Sequence, residues 1–204
     1  MPDPSLFSLD TPLLTPPAGL TMPSTADCPL DVAMREMGTK EKSGARDNPE
    51  VVKYLKSCDA RFVESAAKLE NDETDWCSAF VNWCLAEVGI AGTKHPRARS
   101  WIRWGLGTRL GTRLGTPRFG AIVVLTRTSD KSLGPTGKGH VGFLWERIGS
   151  ELFLLGGNQN TRVKIKPYKE SNLLCYMWPI QMPALPRLKG FPAGHLTPPS
   201  KIII

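Results

Sequence analysis

Trp76-Cys77-Ser78-Ala79-Phe80-Val81-Asn82-Trp83-Cys84-Leu85-Ala86-Glu87-Val88-Gly89 is the most strongly patterned run in the chain. Phe80, Trp83, Cys84 and Val88 recur at helical spacing and Gly89 supplies a stop, which predicts a helix over 76–88. Asp72, Glu73 and Asp75 precede it, where acidic groups suit the positive end of a helix dipole. Cys77 therefore falls at a helix N-terminus. There, unpaired N–H groups and the macrodipole lower a thiol pKa from about 8.5 and make it a nucleophile. Cys84 lies inside the same helix, lacks that position, and reads as core packing.

Toward the N-terminus, 31–37 reads as a short helix, and Asn48-Pro49-Glu50 opens a second through Leu55, with Pro49 suited to a first helical turn. A third is expected over 61–69 and a fourth over 97–104, ending at Gly105. From Ala121 the pattern changes to strands: 121–125, 140–145, 151–155, 162–165 and 173–178. Helices followed by a run of strands give an α+β domain with N-terminal helices packed on a mainly antiparallel sheet of five to six strands. Gly-Thr-Arg-Leu occurs twice, at 107–110 and 111–114, and reads as a tandem duplication tolerated in a loop. Its two added arginines are expected near the cleft, altering substrate or partner contact.

At 204 residues, 41% of them apolar, the chain can bury one core. Residues 1–26 and 181–204 are rich in proline and read as arms around one compact domain at 27–180. No apolar run approaches the roughly 20 residues of a membrane-spanning helix. Met1-Pro2-Asp3-Pro4-Ser5 lacks the basic start of a Sec signal, so the expectation is synthesis in the cytoplasm and exit by another route. A net charge of +7 and pI near 9.3 favour an anionic environment. The basic residues are dispersed, with no aromatic-interleaved sheet motif and no zinc-finger spacing, which argues against nucleic acid. Cys28, Cys58, Cys77, Cys84 and Cys175 form no CxxC pair, so no metal site is expected. Whether Cys28 and Cys58 pair is left open by their spacing.

A thiol nucleophile needs a histidine as base and a third polar group to orient the imidazole. His140 is the one histidine of the strand region and begins a strand behind the glycine-rich 134–139. His95, before Pro96, and His195, in the tail, read as solvated. Asn158, in Gly156-Gly157-Asn158-Gln159, ends the next strand. Antiparallel neighbours place one strand's start beside the next one's end, so Cys77, His140 and Asn158 form a consistent triad. Taken singly, each has an ordinary structural reading, as core cysteine, structural histidine and turn residue.

The run 72–84 resembles the nucleophile segment of the CHAP and NlpC-type papain-like cell-wall hydrolases. The resemblance continues in order through Ala98-Arg99-Ser100-Trp101, Pro117-Arg118-Phe119-Gly120-Ala121-Ile122-Val123-Val124, Gly139-His140-Val141-Gly142-Phe143, Leu155-Gly156-Gly157-Asn158-Gln159 and Tyr176-Met177-Trp178-Pro179. It covers about 27–180 and implies hydrolysis of peptidoglycan peptide or amide bonds without a cofactor. Cys77 would attack, His140 would shuttle the proton, and Asn158 would hold the imidazole. The Cys77 N–H would contribute to an oxyanion hole whose second donor is unassigned, because the glutamine of plant-type papains has no counterpart before Cys77. Trp76, Ser78 and Gln159 are the candidates for lining substrate or oxyanion. The implied protein is a monomeric endopeptidase, preferred over an amidase, acting in the periplasm or wall of a target bacterium. The expected setting is an antibacterial effector with a cognate immunity protein or secretion-machine component as partner. A phage-type endolysin is the alternative within the enzymes, and a non-catalytic wall-binding module on the same fold is the alternative outside them.

Overall fold

The computed structural model describes residues 28–42, 46–105 and 110–182. Three helices, α1 (Pro29–Arg35), α2 (Pro49–Leu55) and α3 (Cys77–Glu87), come before all the strands. The strands are β1 (Gly111–Leu114), β2 (Ile122–Thr126), β3 (Gly139–Ile148), β4 (Glu151–Gly156), β5 (Lys164–Lys169) and β6 (Leu173–Pro179). They form one antiparallel sheet in the order β1-β6-β2-β3-β4-β5. The α+β expectation holds.

Local chemistry explains the helix boundaries. Asn48 caps α2 by accepting from the Glu50 N–H at 3.0 Å, and Pro49 occupies the first turn, where a missing N–H costs nothing. The expected helix at 61–69 is instead two 3-10 turns, Ala60–Phe62 and Ala66–Leu69, because Val63 and Ser65 are extended between them. The expected helix at 97–104 is likewise a 3-10 segment, Ala98–Arg103.

α3 is the centre of the molecule. Every residue from Cys77 to Leu85 is buried, so its polar members need partners. Ser78 Oγ donates to the His95 carbonyl at 2.7 Å and accepts from Trp101 Nε1 at 2.9 Å. Asn82 donates to the Ser78 carbonyl and accepts from the Lys94 N–H. Both polar residues thus tie α3 to the segment that follows it. The main core lies between the helices and one sheet face, with Trp76, Phe80, Trp101, Val141, Phe143 and Leu155 among its members. A smaller cluster, including Val123, Leu144, Leu154 and Trp178, lines the other face.

The repeat corrects the sequence reading. Most of its first copy lies outside the described residues, but the second, Gly111–Leu114, is strand β1 rather than loop, paired with β6 from Gly111↔Pro179 to Leu114↔Tyr176. Trp104 packs over Gly111 so closely that a Cβ there would come within 2.5 Å of the indole. β6 and β2 separate β1 from β3, so this copy sits away from His140, and Arg113 donates to the Ile102 carbonyl.

Candidate active site

Cys77 is the first residue of α3, and its thiol is 5% exposed. The backbone N–H groups of Val141, the residue after His140, and of Ser78 favour the ionised form of the sulfur. The thiol is thereby tied electrostatically to the start of β3, the strand that packs against α3. Burial raises the Cys77 pKa above its ordinary value, with Asp75 adding to the rise; the Arg127 cation and the two N–H donors oppose it. The expectation of a lowered thiol pKa is corrected: removal from water outweighs the helix terminus.

His140 is the second residue of β3, opposite Leu125 on β2, and is fully buried. Its ring stacks on Tyr168 of β5 at 5.0 Å between centroids. Burial, with the Arg127 and Lys166 cations, holds its pKa down to about 3, against a raising influence of the Gln159 amide. The resting pair is a neutral thiol and a neutral imidazole.

The tautomer follows from the partners. Arg127 Nη2 lies 3.3 Å from His140 Nδ1, and a guanidinium only donates, so Nδ1 carries the lone pair and Nε2 the proton. Gln159, 1% exposed, sends its Nε2 to the carbonyls of Leu154 and Gly156 at 3.0 Å and to that of Lys164. Three carbonyls fix the amide's orientation and leave its Oε1 as an acceptor. Oε1 of Gln159 and Nε2 of His140 are both buried without a partner of good geometry, while the two side chains interact. The acceptor that suits the His140 Nε2–H is therefore Gln159.

Asn158 is placed elsewhere. It adopts a left-handed φ of 52°, and its side-chain amide donates to Asp75 at 3.2 Å. The cause is the turn: Gly157 is wedged against Trp76, where a Cβ would lie 2.5 Å from the ring, and the left-handed residue after it turns Asn158 outward and Gln159 inward. Of these two neighbouring amides, Gln159 is the buried one and Asn158 the one that meets Asp75.

Trp76 and Ser78, expected to line the site, have side chains committed to the core. Trp76 is fully buried and donates its indole N–H to Glu41 at 2.7 Å, and Ser78 holds the His95 segment as described. Asp72 is no dipole partner of α3 either: its buried carboxylate accepts from the N–H groups of Lys42 and Asn48. His95 is not simply solvated, since it stacks on Phe62 and accepts from the Arg97 N–H. His195 lies outside the described residues. Cys28 and Cys58 are free thiols. Among the described residues no three metal-ligating side chains cluster, and no helix is long and apolar enough to cross a membrane.

Two groups escaped the sequence reading. Arg127 follows β2 directly, so the β2–β3 register brings it to His140; that signal was readable once the strands were paired. Arg99, fully buried, holds the loop that carries Arg127. It donates to Thr126 Oγ1, to the Asp130 carboxylate and carbonyl, and to the Thr136 carbonyl.

A thiol on a helix terminus, set against the start of a strand whose histidine has its far nitrogen toward an amide oxygen, defines the papain-like class of thiol hydrolase folds. The family model of the CHAP domain matches residues 69–158. The match is consistent with a member of the CHAP/NlpC-type cysteine peptidase superfamily. The match takes in Cys77, Arg127 and His140 and stops one residue before Gln159. No curated protein and no solved structure matches the chain.

Proposed function

We propose that this protein is a peptidoglycan hydrolase that cleaves a peptide or amide bond of the stem peptide with Cys77 as nucleophile and His140 as general base. The observation that carries the reading is the packing of α3, which begins with Cys77, against β3, whose second residue is the buried His140. CHAP domains are a family of peptidoglycan hydrolases, amidases and peptidases, and the charge of +7 suits an anionic wall.

In the proposed reaction the S–H proton passes to His140 Nδ1 as the sulfur bonds to the scissile carbonyl carbon. The C–N bond then breaks, and Nδ1–H protonates the leaving amine. Water hydrolyses the resulting thioester, giving its proton back through Nδ1. Gln159 Oε1 holds the imidazole by accepting from Nε2–H, the role first expected of Asn158. The Cys77 N–H at the helix terminus contributes to the oxyanion site.

Within this reading an endopeptidase is preferred to an amidase. The setting proposed is an antibacterial effector, made in the cytoplasm and acting in the periplasm or wall of a target bacterium, with a cognate immunity protein. Mass spectrometry of purified sacculi incubated with the protein tests it. New stem-peptide amino termini identify an endopeptidase, and stem peptides freed from muramic acid identify an amidase. No products across a range of pH and reducing conditions would sink the hydrolase reading.

A further inference from the structure

His140 Nδ1 has one lone pair, and that lone pair must receive the thiol proton. In the structure it faces Arg127 Nη2 at 3.3 Å. Among the described residues, no hydrogen bond joins the Cys77 sulfur to the imidazole. The base is occupied by a cation.

Arg127 is built to move at its head and not at its root. Its backbone N–H donates to the Lys138 carbonyl at 3.1 Å, extending the β2–β3 ladder, and Thr126 just before it is held by buried Arg99. The Arg127 side chain is exposed, and among the described residues it meets no carboxylate. Two other arginines near the sheet differ. Arg99 pairs with Asp130 at 2.8 Å and Arg147 with Glu170 at 2.7 Å. Lys166, the other cation beside His140, is engaged by Asn160 Oδ1 at 3.1 Å and lies over the Tyr168 ring. Arg127 thus presents an exposed planar fork beside His140 with no carboxylate on it among the described residues. That fork matches a carboxylate bidentately, and a carboxylate there would compete with Nδ1 for the guanidinium.

We propose that Arg127 is both a receptor for a substrate carboxylate and a latch on the general base, so that the protein acts on peptides bearing a free carboxylate, rather than a carboxamide, beside the scissile bond. Binding of that carboxylate draws the guanidinium off Nδ1 and frees the lone pair for the thiol proton. Arg127 is a specificity and positioning residue, and the inference rests on the hydrolase reading of Cys77. In a stem peptide the relevant group is the α-carboxylate of the γ-linked glutamate, which occurs free or amidated.

Two measurements separate the latch from the hydrolase reading. The first needs no peptidoglycan: alkylation of Cys77 by iodoacetate and by iodoacetamide, followed on its tryptic peptide, for wild type, Arg127→Gln and Arg127→Lys, with unfolding midpoints recorded for each. Losing a charge-assisted hydrogen bond should lower the iodoacetate-to-iodoacetamide rate ratio about tenfold in Arg127→Gln, with partial recovery in Arg127→Lys. The second is kcat/KM on paired synthetic stem peptides with the glutamate carboxylate free or amidated. Wild type should prefer the free acid about tenfold or more, and Arg127→Gln should lose that preference. Equal alkylation ratios in folded wild type and Arg127→Gln, or equal use of both peptides by wild type, would overturn the proposal. Cleavage of neither peptide with the alkylation preference intact would sink the hydrolase reading and uphold the receptor.

Discussion

Cys77 and His140 share a peptide neighbourhood but rest uncharged, and burial is the reason. The thiol pKa is raised and the imidazole pKa is held to about 3, so no thiolate–imidazolium pair exists before substrate arrives. Cys77 alkylation by neutral iodoacetamide should therefore keep rising through pH 9 and beyond, as the thiolate forms. A rate already at its plateau near pH 5, the behaviour of a preformed ion pair, would contradict this. Cys77 itself was readable from its place at a helix start. The direction of its pKa was not, because sequence shows the helix terminus and hides the depth at which it is buried.

The turn after β4 decides which of two adjacent amides is buried. Gly157 against Trp76 and the left-handed φ of Asn158 send two adjacent amides in opposite directions, one to Asp75 and one inward. Gln159→Met keeps the side chain's length and removes the acceptor for Nε2–H; kcat should fall about 100-fold, the scale of general acid–base assistance. Asn158→Gly, which suits the same backbone, should hold kcat within the same order of magnitude. The reverse ranking, in variants with matched unfolding midpoints, would restore Asn158 to the role. Strand pairing was legible from the alternating and β-branched runs, and it put the correct turn beside His140. Which of two neighbouring amides faced inward depended on a glycine packed under an indole, a contact between residues 81 positions apart. β1 was illegible for a similar reason: Gly111–Leu114 carries little apolar pattern, and only β6 and Trp104 make it a strand.

Across the whole molecule the helices-then-strands order was enough to fix the α+β class, since α3 packs against a sheet built from later, non-local pairings. The buried neutral histidine also ties folding to pH. Between about pH 3 and 6.5 the unfolded chain binds a proton at His140 that the folded chain refuses, so stability rises with pH across that window and falls on acidification. The unfolding midpoint should drop between pH 7 and pH 4, and His140→Gln should lessen the drop; an equal drop in both would assign acid sensitivity to other groups. All of these expectations presuppose that one thiol among five does the chemistry. The most direct test is hydrolysis of purified sacculi by wild type, Cys77→Ala and Cys84→Ala in parallel, each with its unfolding midpoint. Wild type should release stem-peptide fragments, folded Cys77→Ala should release none, and Cys84→Ala should remain active while losing about 1 kcal/mol of stability. Fragment release by Cys77→Ala at a rate comparable to wild type would contradict the account.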